Sequence, residues 1–190
     1  MIMSDAPRTE RPPRPERVNV ASVVMVNTGH GKGKSTAAFG VAMRSLARKW
    51  NVAVVQFIKS GKWRTGEEAI LRELGADWWT LGDGFSWESK DIDESQARAV
   101  EAWRHTRNLL ASGEHQFVLL DEITYPMNWG WIDTDEVVDA IRGRVETVNV
   151  MCTGRDAPAA LVDLADTVTE MRKVSHAYDR GIFARRGIDY

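Results

Sequence analysis

The 190-residue chain has a single cysteine, Cys152, so no disulfide can form within it, and that usage fits a reducing compartment. No apolar run approaches the roughly 18 residues that a membrane-spanning helix needs. Residues 1–17 lack the apolar segment of a secretory leader. Charge of one sign is not in excess either. The 25 basic residues are set against 27 acidic ones, a net charge of −2, with neither a basic field suited to nucleic acid nor an acidic tail. These absences lead to the expectation of a cytoplasmic protein that engages neither nucleic acid nor a membrane.

What is present points to a packed α/β domain. Hydrophobic residues make up 43% of the chain, enough at this length for one full core. Residues 1–17 are rich in Pro and Arg (Arg11-Pro12-Pro13-Arg14-Pro15), cannot form a regular helix or strand, and are expected to be a disordered tail ahead of a domain over 18–190. From there strand and helix signals alternate. Strands are expected over 20–27, 52–58, 77–81, 117–120, 147–153 and 167–171. Helices are expected over 35–49, 65–74, 93–111, 133–142 and 158–165. Val52–Ile58 is a near-continuous apolar run, as in a strand covered on both faces. Ala97, Val100, Trp103 and Leu110 are expected on the core side of the long helix, with Asp93 or Ser95 as its cap. Asp133 should cap the helix that follows it, and Pro158 suits the first turn of the last helix. In Trp78-Trp79 one ring should be core and the other rim. Repeated β-α units imply a mostly parallel sheet flanked by helices.

Gly29-His30-Gly31-Lys32-Gly33-Lys34-Ser35-Thr36 lies between the strand-like Val23–Val26 and the helix-like run from Ala37. A strand, a glycine turn and a helix N-terminus together make a phosphate cradle: backbone N–H groups and the positive end of the helix dipole face an anion. Lys34 can reach phosphate oxygens and the Ser35 hydroxyl can hold Mg²⁺. The pattern G-x-x-x-x-G-K-[ST] would put its first glycine at Thr28, so this loop is one residue shorter than the pattern. The fold expected from it is of the P-loop NTPase (RecA-like) class. Phe117–Leu120, an apolar run, ends in Asp121-Glu122, a carboxylate pair suited to Mg²⁺, which prefers oxygen donors and is shared with phosphate and water. Ligands of such sheets sit beyond the carboxyl ends of the strands, where the glycine loop, Asp121-Glu122 and Thr153-Gly154-Arg155 should meet. These motifs suit a hydrolase, kinase, motor or transferase alike.

Gly82-Asp83-Gly84-Phe85-Ser86-Trp87 is a glycine-rich segment carrying two aromatic rings, a composition that suits a binding surface. With this segment the chain resembles the P-loop type of cob(I)alamin (corrinoid) adenosyltransferases. The likeness is carried by Thr28–Gly40, Gln56-Phe57-Ile58-Lys59, Trp63-Arg64-Thr65-Gly66-Glu67, Gly82–Trp87 and Leu120-Asp121-Glu122. It continues through Thr153-Gly154-Arg155, Ala165–Arg172 and the C-terminal Gly181–Tyr190. His30 stands where the family often has Asn, Ser35 and Ser86 where it often has Thr, and the N-terminal segment is shorter.

The resemblance implies transfer of the 5′-deoxyadenosyl group of ATP to the cobalt of a corrinoid, with release of triphosphate. It implies Lys34, Phe85 and Trp87 as catalytic residues. Residues 29–36 (Gly29, His30, Gly31, Lys32, Gly33, Lys34, Ser35 and Thr36) would bind the nucleotide. Ser35 and Glu122 would hold Mg²⁺, with Asp121 beside or behind them. Phe85 and Trp87 would pack on the lower corrin face and keep an axial ligand off the cobalt, so none of the four histidines is expected to ligate it. It further implies a homodimer and an electron-donating flavoprotein reductase as partner. Arg155, His176 and Trp129-Gly130-Trp131 are candidates for ligand contact without an assigned role. A P-loop ATPase or kinase acting on another small molecule, and a non-catalytic nucleotide- or corrinoid-binding module, are the competing readings.

Overall fold

The computed structural model describes residues 16–60, 65–82 and 92–189. Trp63, Arg64, Phe85, Ser86, Trp87 and most of the N-terminal tail, on which expectations were placed above, lie outside the described residues.

Six strands form one sheet: β1 (Val24–Thr28), β2 (Val52–Ser60), β3 (Asp77–Gly82), β4 (Phe117–Asp121), β5 (Asn149–Thr153) and β6 (Thr167–Glu170). Their order is β3-β2-β4-β5-β1-β6, and every adjoining pair is parallel. The helices are α1 (Lys34–Ala47), α2 (Gly66–Glu73), α3 (Ile92–Ser112), α4 (Thr124–Asn128), α5 (Thr134–Arg142) and α6 (Ala159–Leu164). A short 3-10 turn, Ala177–Arg180, interrupts the C-terminal segment.

The period-two rule of strands divides the core. Val52, Val54, Phe117 and Leu119 pack with Ala38, Phe39 and Ala42 of α1 and Leu71 of α2 on one face. Ala53, Val55, Phe57, Val118 and Leu120 pack with α3, α5 and α6 on the other. The central strands are buried on both sides, which explains their unbroken apolar runs. Cys152, on β5, is fully buried, and burial pushes its thiol up to about 12, so it is an inert core residue.

Asp133 caps α5 by accepting from the Glu136 N–H at 2.9 Å, as expected. Trp78 is buried and Trp79 half-buried, also as expected. Pro158 is the residue before α6 rather than within its first turn. Two readings of α3 are corrected. The helix begins at Ile92, so Asp93 lies inside the first turn and neither it nor Ser95 precedes the helix. The buried face is Ala99, Ala102, Trp103, Thr106, Leu109 and Leu110, while Ala97 and Val100 are exposed. Trp103 and Leu110 were read correctly. Among the described residues, the N-terminal turns of α3 have their first buried position at Ala99.

His105 of α3 lies against Trp79 of β3, with ring centroids 4.5 Å apart, and its buried Nε2 has no hydrogen-bond partner among the described residues. Burial first, and then His115, lowers its pKa. The fold therefore favours the neutral ring, while the unfolded chain takes up a proton as the pH falls below about 6.5. Stability should fall on acidification from that point until the lowered folded-state pKa is passed. His105→Phe should flatten the dependence of Tm on pH between about 7 and 5, as read by thermal unfolding. An unchanged slope would contradict this account.

Candidate functional site

β1 delivers the chain to the glycine loop. Gly33 precedes α1 in a left-handed conformation (φ 110°) and carries no side-chain cap, so the first-turn N–H groups of α1 are left to whatever occupies the loop. The other glycines are explained by a close approach from β6. The Gly31 N–H donates to the Met171 carbonyl at 2.5 Å, and the Met171 N–H donates to the Thr28 carbonyl at 2.8 Å. A Cβ on Gly31 would meet the Met171 oxygen at 2.6 Å, and one on Gly29 would meet it at 2.7 Å. The backbone of residues 170–172 thus lies against the loop and holds its shape.

Lys34 turns back into this loop and donates to the Gly29 and Gly31 carbonyls at 2.8 and 2.7 Å. Its main-chain carbonyl accepts from Asn27 Nδ2 at 3.0 Å, which ties the start of α1 to the end of β1. Burial, followed by the charge of Arg155, lowers the Lys34 pKa, while Glu122 and Asp156 act in the opposite direction. This ammonium is held partly desolvated, close to where an anion would sit.

The loop opens on a cavity of about 380 Å³ whose walls include Lys32, Lys34, Ser35, Thr36, Glu122 and Arg155. The structure therefore gathers the residues that sequence reasoning placed at the strand ends. Asp121 is different. It is fully buried, its Oδ2 accepts from Gln56 Nε2 at 2.9 Å and its Oδ1 from the Thr153 hydroxyl at 2.8 Å. Glu122, one residue on, reaches the cavity wall.

Whether Mg²⁺ suits these residues can be judged from the donors. Ser35 and Glu122 offer hydroxyl and carboxylate oxygens on one cavity. Among the described residues no group of three or more His, Cys, Asp or Glu could cage a metal. A hard ion that takes one or two protein oxygens and completes its shell with phosphate and water fits such a set.

Several lining residues were not found from the sequence. α4 was missed altogether: it is five residues long and contains Pro126, so no periodicity announces it. It supplies Tyr125, whose phenol pKa is raised by burial and then by Glu122. It also supplies Thr124 and Asn128, which donate to the Arg155 carbonyl at 2.6 and 3.2 Å and hold that loop in place. Gln56 did carry a signal, as the one amide in an apolar strand. The C-terminal segment contributes Lys173, Tyr178, Asp179 and Asp189 to the same cavity, together with His176, which the sequence had offered as a candidate for ligand contact. Asp189 pairs with Lys32 at 2.9 Å. The Arg185 N–H first, and then Lys32, hold its carboxyl below the ordinary range. His176 Nδ1 accepts from the Tyr178 N–H at 3.1 Å, so it holds the tail as well as lining the cavity. A second cavity of about 580 Å³ shares Glu122, Tyr125 and Arg155 with the first and is further walled by Ile58, Asn128 and Trp129. The Trp129 and Trp131 rings stand 4.7 Å apart beside it.

Comparison with known proteins adds the following. Residues 21–190 match the family model described as ATP:corrinoid adenosyltransferase BtuR/CobO/CobP. The corrinoid adenosyltransferase of Escherichia coli (strain K12) is 41% identical over 168 residues, covering 88% of this chain and 85% of that protein. The Pseudomonas aeruginosa corrinoid adenosyltransferase is 40% identical over 170 residues, covering 88% and 83%. Among solved structures, the flagellar accessory protein FlaH of Methanocaldococcus jannaschii superposes with a TM-score of 0.50 at 12% identity. That match covers 80% of this chain and 72% of that one, a likeness of fold alone.

Proposed function

The chain belongs to the ATP:corrinoid adenosyltransferase family, and from that premise we infer that it transfers the 5′-deoxyadenosyl group of ATP to the cobalt of a reduced corrinoid. Cob(I)alamin cobalt attacks the ribose 5′-carbon. The Co–C bond forms as the C–O bond breaks, cobalt gives up two electrons to the new bond, and triphosphate leaves with the electron pair of the broken one. The observation that carries this reading is the strand-end cavity where Lys34, Ser35 and Glu122 share one wall. Negative charge grows on the leaving group, and the cradle answers it with loop N–H groups, the N-terminus of α1 and the Lys34 ammonium. Lys32 and His30 lie on the rim of the same loop and add charge or contact there.

We assign Mg²⁺ to the Ser35 hydroxyl and the Glu122 carboxylate, with Asp121 behind Glu122; the ion would neutralise phosphate oxygens and orient the triphosphate. Phe85 and Trp87 are assigned to the lower corrin face, where rings without a lone pair for cobalt exclude an axial ligand and ease reduction of cob(II)alamin. This assignment is supported by the family motif alone. A cytoplasmic homodimer served by a flavoprotein reductase completes the reading.

Trp87→Ala tests the corrinoid half. Turnover from cob(II)alamin with a reductant should fall at least about tenfold while ATP affinity is kept, since only the corrin contact is removed. Unchanged turnover in that variant would remove Trp87 from the mechanism.

A further inference from the structure

We propose that Thr153, at the end of β5, is a positioning residue that aims the Glu122 carboxylate into the nucleotide cavity. The proposal rests on the reading of Glu122 given above. Thr153 is fully buried, and its one hydroxyl has two tasks. It donates to Asp121 Oδ1 at 2.8 Å and accepts from the Glu122 N–H at 2.9 Å. Glu122 is one of the few non-glycine residues with a left-handed backbone, φ 65°. Such a conformation persists only where its surroundings over-determine it. Here the hydroxyl fixes the N–H of the strained residue, and the buried Asp121 fixes the hydroxyl.

Asp121 is in turn held from the opposite side. Gln56 donates to its Oδ2 at 2.9 Å, and Gln56 and Asp121 are register partners in the sheet. One polar chain, Gln56–Asp121–Thr153, thus ties the middle of β2 to the ends of β4 and β5, next to Glu122. Only a group that both donates and accepts can stand at position 153. Serine meets that requirement. Valine has the shape of threonine but neither function, and would leave Asp121 Oδ1 without its Thr153 donor and a strained N–H without its acceptor. Glu122 would then no longer be held toward the cavity.

The test is a double-mutant cycle on Mg²⁺-dependent ATP binding to the full chain, read by calorimetry as the Mg²⁺ concentration that half-saturates binding, with Tm measured alongside. Thr153→Val should raise that concentration about tenfold, the scale of one lost hydrogen bond to a charged group. Thr153→Ser should stay within about twofold of the parent. In a Glu122→Gln background, Thr153→Val should add nothing further, since both changes remove the same interaction. Full additivity of the two changes would overturn the proposal, as Thr153 would then act by another route. If Glu122→Gln leaves the Mg²⁺ dependence unchanged, the reading of Glu122 fails and the proposal falls with it, the fault being located at Glu122. If Thr153→Val does not fold, the serine variant decides: a large shift in its Mg²⁺ dependence with parental Tm overturns the proposal, and parental dependence supports it.

Discussion

Lys34→Ala is expected to lower kcat/KM for adenosyl transfer by a factor of about 10² to 10³ while leaving the fold intact, the scale of losing one preorganised charge-stabilising donor. The side chain's structural bonds run to two loop carbonyls at 2.7 and 2.8 Å, which the glycine loop can leave to water. Its catalytic worth is larger because the ammonium is already partly desolvated, as the burial-driven drop in its pKa reflects. A charge in that setting acts on the departing triphosphate through less water than a surface lysine would. Lys34→Arg should restore little, since the guanidinium is a broad fork and the pocket between Gly29 and Gly31 admits a compact ammonium. Initial rates with chemically reduced cob(I)alamin and MgATP, compared at equal Tm, check this. A loss smaller than about threefold would show that loop N–H groups carry the leaving group without the lysine.

The second large effect is expected at Gly154. Its φ is +145°, and a Cβ there would stand 1.9 Å from the hydroxyl oxygen of the buried Thr124. That hydroxyl donates to the Arg155 carbonyl at 2.6 Å, so it cannot move aside without releasing the loop. Gly154→Ala therefore combines backbone strain with overpacking, for a loss of about 3 kcal/mol. For a chain of this size that corresponds to a Tm lower by about 10 °C. ATP affinity should fall as well, because Arg155 follows directly and lines the cavity. Thermal unfolding and ATP titration of the variant check both parts. A Tm within about 2 °C of the parent would mean that the loop repacks freely.

Much of this was legible in the sequence. The buried strands β2 and β4 announce themselves as apolar runs, and the glycine loop with Asp121-Glu122 marks the strand ends where ligands gather. What was not legible depends on contacts distant in sequence. The alternation of Val52/Val54 with Ala53/Val55 cannot be read when both faces are covered, so the sides of the sheet are known only from the fold. The long helix was placed to within a residue at either end, but its N-terminal face was misread, since among the described residues Ala97 and Val100 are exposed. Asp121 and Glu122 look equivalent as letters. The structure separates them, one buried between Gln56 and Thr153 and one on the cavity wall. Gly29 and Gly31 read as part of a phosphate cradle, and what the sequence does not show is that they also seat the Met171 backbone. Apart from His176, which was a candidate, the tail residues on the cavity, Lys173, Tyr178, Asp179 and Asp189, are more than 130 positions from the loop they cover, a distance no local pattern spans.

The central claim is that nucleophilic attack occurs at the ribose 5′-carbon and not at phosphorus. Anaerobic incubation with MgATP and chemically reduced cob(I)alamin, followed by corrinoid absorbance and identification of the phosphate product, tests it most directly. The account predicts light-sensitive adenosylcobalamin together with intact triphosphate in equal amounts. Release of ADP or free phosphate with no change in the corrinoid would contradict it.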